Sequence, residues 1–118
     1  MFKIQKRDTY PWTVEHVVAV VQGKPELMKF DAEFKALPSS RATEILGALQ
    51  TGKMKDPEFL AEVLSGWHGL GDGRTADGQE FKFDQTNLEL LIELYPGIVG
   101  SFTQAWMESI SGAAARKN

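Results

Sequence analysis

The clearest pattern along the chain is a strict alternation. Phe30, Ala32, Phe34 and Ala36 interleave with Lys29, Asp31, Glu33 and Lys35, which predicts a strand with one buried face and one wet face. Ahead of it, residues 14–21 carry the β-branched run Val17-Val18-Ala19-Val20-Val21, a second strand in which Glu15 and His16 blur the alternation. Gln22-Gly23-Lys24-Pro25 lies between the two and supplies turn residues, so the pair predicts an antiparallel hairpin. Residues 2–6 predict a further strand of the same small sheet.

From Pro38 onward the period becomes helical. Pro38-Ser39-Ser40 predicts a break and an N-cap, Ile45, Leu46 and Leu49 form one helix face, and Thr51-Gly52-Lys53 ends it. Asp56-Pro57 reads as a cap followed by proline at the first helical position, where its missing N–H costs nothing. Phe59, Leu60, Val63, Leu64 and Trp67 then make a core-facing stripe at helical spacing. Glycines at 66, 69, 71, 73 and 78 make residues 66–78 the least regular stretch, and Glu80-Phe81-Lys82-Phe83 predicts a short strand after an Asp77-Gly78 turn. Asp84 caps a helix carrying Leu88, Leu91, Ile92 and Tyr95. Pro96-Gly97 separates it from a last helix with Val99, Phe102, Trp106 and Ile110 on one face and Gly112 at its end. The fold class expected is α+β: an N-terminal antiparallel β-hairpin or small sheet followed by about four helices, with a predominantly helical C-terminal part. One domain is expected, with residues 1–37 β-rich, 38–112 helical and 113–118 a short basic tail.

Composition narrows the chemistry. A chain of 118 residues that is 42% hydrophobic can build one core without a staple. It has no cysteine, which removes disulfides, thiol nucleophiles and cysteine-based metal sites. Thirteen basic against sixteen acidic residues, a net charge of −3, offers nucleic acid no electrostatic footprint. No apolar run approaches the roughly 18–20 residues a bilayer demands, so no membrane partner is expected. Met1-Phe2-Lys3-Ile4-Gln5-Lys6-Arg7 starts basic but lacks an apolar core, so no signal peptide is expected and the location expected is intracellular.

No catalytic constellation emerges. His16 falls in a strand and His68 in the glycine-rich stretch; no G-x-S-x-G elbow accompanies them, and ordinary partly exposed histidines are the simpler reading. Residues 72–80 resemble a calcium loop only superficially. With Asp77-Gly78 at the fifth and sixth positions, the first would be Gly73, where a carboxylate is needed. Gly69-Leu70-Gly71-Asp72-Gly73 lacks the following Gly-Lys-Ser/Thr of a phosphate cradle. Neither an enzyme activity nor a cofactor or metal is expected. Most of the aromatic residues fall on inward stripes and read as core, while Trp12, beside Tyr10-Pro11, is the least obviously core-bound and a candidate for a partner surface.

The order of segments carries a resemblance. A valine-rich strand is followed by Phe30-Asp31-Ala32-Glu33-Phe34-Lys35, then by a helix ending Gly66-Trp67. After these come an Asp-Gly turn with Phe81 and Phe83, Asp84-Gln85-Thr86-Asn87-Leu88 opening a leucine-rich helix, and a Phe102–Trp106 helix with a tail ending Arg116-Lys117-Asn118. This resembles the small tail assembly chaperones of phages or prophages with long, flexible, non-contractile tails, over residues 14–118.

The resemblance implies a non-enzymatic role. Such proteins bind the long, helical, aggregation-prone tape measure protein, help recruit tail tube subunits, and are absent from the finished virion. It implies the host cytoplasm as location, self-association into a homo-oligomer, and weak contacts multiplied by avidity. It also implies a longer form made by a −1 ribosomal slip. Arg116-Lys117-Asn118 is what the slippery heptamer A-AAA-AAC would encode if the arginine codon ends in A. A groove beside the last helix is the expected contact. Its candidate anchors are Phe102, Trp106 and Ile110, provided they are not fully buried, with Trp12 and the basic Arg116 and Lys117 as further contacts. The alternative role from another class is a permanent tail component, a tube or terminator subunit. A small hydrolase using His68 is the weakest reading.

Overall fold

The structure, a computed structural model, describes Met1, Lys3, residues 7–71 and residues 80–111; of Val20 and Val21 it describes the backbone alone. Two long strands, β1 (Thr9–Val21) and β2 (Lys24–Lys35), form the expected hairpin, each starting earlier than the predicted Val14 and Lys29. The turn is the pair Gln22-Gly23, with φ of 52° and 77°. Both central residues have positive φ, the two-residue geometry that matches the twist of the flanking strands. Lys24-Pro25 already belongs to β2. Val18 is an extra residue opposite the Leu27–Glu26 step, a β-bulge that shifts the register near the tip.

The predicted alternation sets the layer order. Phe30, Ala32 and Phe34 are buried, while Lys29 and Asp31 are exposed on the other face; Ala36, beyond the strand, is exposed. That outer face carries paired polar residues: Thr13 donates to Asp31 at 3.0 Å, and Glu15 lies 3.8 Å from Lys29. Among the described residues the helices pack on the inner face.

Helix α1 (Ser39–Gln50) follows Pro38, whose carbonyl accepts from Ala42; no side chain caps it, so the serines are its first residues. Gly52, at φ 73°, lets the chain turn away afterwards. Helix α2 (Asp56–Val63) starts one residue earlier than predicted, at Asp56, with Pro57 in its first turn. Arg41 joins the two helices through Glu62 at 3.1 Å and Glu44 at 3.0 Å, and these carboxylates hold its guanidinium above its ordinary range.

The segment after α2 departs from the helical expectation. Leu64 and Trp67 were expected to continue the stripe of α2, but Leu64–His68 is strand β3, antiparallel to β2, giving the order β1-β2-β3. The apolar spacing suits either state. The free edge of β2 decides it by offering main-chain partners that a helix could not use, and Gly66 is a poor helix residue in any case. Ser65 donates to the Glu33 carbonyl at 3.1 Å where the register shifts. Trp67 then lies beside Ala32, large against small. It stacks on Phe81 at 5.8 Å, meets Phe83 edge-on at 4.8 Å, and donates from Nε1 to the Phe81 carbonyl at 2.6 Å.

The third strand of the sheet is therefore β3; the expected strand at residues 2–6, apart from Lys3, lies outside the described residues. The predicted strand at Glu80–Phe83 reduces to a single Gly71–Glu80 bridge. The Asp77-Gly78 turn and the tail 113–118 also lie outside the described residues.

Asp84 caps α3 (Gln85–Leu94) as predicted, accepting from the Asn87 amide at 2.7 Å. Gly97, at φ 91°, opens α4 (Ile98–Ser111), whose buried stripe is Ile98, Phe102, Ala105 and Trp106. Phe102 meets Phe30 edge-on at 5.5 Å and Trp106 meets Phe59 at 5.3 Å. Each such side chain adds roughly 1.5–3 kcal/mol by leaving water, which makes α4 the helix that closes the core. None of the helices described is long and apolar enough to cross a membrane.

Candidate functional site

Helix α4 is held against β1 at two points. Tyr10 and Ser109 share a hydrogen bond of 2.8 Å, and His16 Nδ1 lies 2.8 Å from Ser101 Oγ. This fastening leaves a groove on either side of the helix.

The first groove, about 910 Å³, runs between the C-terminal half of α4 and one face of α1 from Ser39 to Gln50. Leu37, Ala42 and Leu46 form one wall, Met107 and Ile110 the other, and Lys35 and Glu108 stand among its polar residues. The sequence explains the arrangement. The buried stripe of α4 uses Phe102 and Trp106, so residues one or four positions further along, Met107 and Ile110, fall at its margin and are each 39% exposed.

The expected anchors separate accordingly. Phe102 and Trp106 are fully buried, locked by Phe30 and Phe59, so the condition attached to them fails and they offer no surface to a partner. Ile110 does border the groove. Trp12, half-buried, borders the second groove instead, between β1 and α4. Arg116 and Lys117 lie outside the described residues. Leu46, expected on the core face of the first helix, and Met107, which the sequence did not mark, also line the first groove. Met107 sits next to a tryptophan on no obvious stripe, and the one signal in the sequence is a methionine flanking an apolar helix face.

The two histidines do not meet. His16 is on β1 and faces the helices; His68, opposite Asp31 at the end of β3, faces outward from the other edge of the sheet. His68 belongs to β3 and precedes the glycine-rich loop, with Nδ1 3.4 Å from Glu80 and Nε2 3.7 Å from Glu33 in a shallow depression. Among the described residues no group of three or more histidines and carboxylates is arranged to hold a metal ion.

Comparison with protein-family models, with curated proteins and with solved structures returned no match.

Proposed function

We propose that this chain is a tail assembly chaperone of a long-tailed phage or prophage, and that it binds an amphipathic helical segment of the tape measure protein in the groove between α1 and α4. The observation that carries the reading is the apolar groove with Met107 and Ile110 left open beside a closed core. A long helix with an exposed apolar stripe needs such a cover until the tail tube encloses it, and helix-in-groove binding supplies one through anchors at helical spacing. The order of segments over residues 14–118, which resembles this family, supports the same reading.

In this role the protein acts in the host cytoplasm, self-associates, works with the tail tube protein and with a longer frameshifted form of itself, and leaves before the virion is complete. Co-expression with the tape measure protein tests it. The expected result is a soluble complex, with the chain missing from mature particles. Finding it as a stoichiometric part of those particles would favour a permanent tube or terminator subunit. The final codons test the frameshift separately: a heptamer A-AAA-AAC is expected, and an end without one removes the longer form.

A further inference from the structure

The second groove, about 960 Å³, follows the edge of β1 that faces away from β2 and that no other strand occupies among the described residues. Pro11, Thr13 and Glu15 project from the outer face of the sheet and Trp12 from the inner face, yet all border this one groove. Side chains of both faces can do so only where the groove runs along the strand's edge. With β2 on its other side, β1 presents there the main-chain groups that point away from the hairpin. Among the described residues no backbone hydrogen bond outside the ladder reaches this stretch. Across the gap stand Gly97 and, on α4, the small residues Gly100, Ser101 and Ala105, with Gln104 and Glu108 at the far end. A Cβ added at Gly100 would meet nothing within 4 Å.

We propose that this slot receives an extended polypeptide segment, which adds to β1 as a fourth strand, turns small apolar side chains onto α4, and places a basic residue at the rim. Charge selects the basic residue: Glu108 and Glu15, the latter with Lys29 3.8 Å away on its outer side, border the slot, and among the described residues no lysine or arginine lines it. Geometry selects a bare strand over a second copy of this chain. Antiparallel β1 pairing about a two-fold axis would put both copies of α4 on one face, behind strands roughly 4.8 Å apart, whereas packed helices need about 8–10 Å. The slot meets the α1–α4 groove at Gln104 and Glu108, which line both, but the β1 edge lies outside that groove and the proposal does not depend on the tape measure reading.

The test uses the full chain and a short synthetic peptide of alternating threonine and valine with lysine at both ends. Nuclear magnetic resonance should show amide shifts and slowed exchange at Thr13 and Glu15, shifts at Gly100 and Ala105, and a shifted Trp12 indole. The same peptide with glutamate ends should bind about tenfold more weakly, since attraction at two exposed rims becomes repulsion. Gly100→Leu, whose side chain enters the slot, should abolish binding at unchanged melting temperature. Glu15→Lys, at an exposed position, should erase the preference for lysine ends. Peptide effects confined to Met107 and Ile110, no binding at all, or full binding by a folded Gly100→Leu chain would overturn the proposal. So would protection of Thr13 and Glu15 by dimerisation without peptide.

Discussion

The two halves of the β1–β2 hairpin use similar residues to opposite ends. Near the body, Val14, Phe30, Ala32 and Phe34 lie under the helices and are buried. Toward the tip, Val17 and Leu27 pair across the strands on the outer face, 52% and 53% exposed, and Val18 sits in the bulge. Strand-forming chemistry is the same in both halves, while the helical layer is not. It reaches His16, through Ser101, and the Cβ position of Gly97 lies 3.7 Å from that imidazole. A β-branched run therefore specifies extended backbone, and burial follows only where another layer arrives.

The contrast predicts a graded response to substitution, readable by urea unfolding. Phe34→Ala should cost about 3–5 kcal/mol, because a fully buried ring beside Tyr10 leaves a cavity in the core. At the turn that joins the halves, Gly23→Ala should cost about 1–2 kcal/mol, since the left-handed conformation is then forced on a residue with a Cβ. Asp84→Ala should cost about 1 kcal/mol, showing that an exposed residue matters when it satisfies a helix end. Leu27→Ala should fall within about 0.5 kcal/mol of the parent, as surface changes do. A loss at Leu27 comparable to that at Phe34 would mean that the tip is covered in solution.

Much of the fold was legible in the sequence because its signals are local. The Phe30–Phe34 alternation, a turn within residues 22–25 and the Asp84 cap each act within a few residues, although Lys24-Pro25 proved to be strand. Strand β3 was not legible, because Leu64 and Trp67 fit a helix as well as a strand and only the distant edge of β2 decides. The candidate site was legible in outline and not in its members. A groove beside the last helix was expected, yet the largest aromatics of α4 are consumed by partners on β2 and α2. What remains open is set by packing between α1 and α4, which no spacing along the chain reveals.

That groove is where the functional account stands or falls. The measurement is the affinity of the chain for tape measure protein fragments, comparing the parent with a Met107→Lys/Ile110→Lys double variant. Both positions are partly exposed, so the variant should unfold within about 1 kcal/mol of the parent. The account predicts that the parent binds a helical fragment and that the folded variant loses at least about tenfold in affinity, a change of roughly 1.4 kcal/mol. Equal binding by both proteins would contradict it.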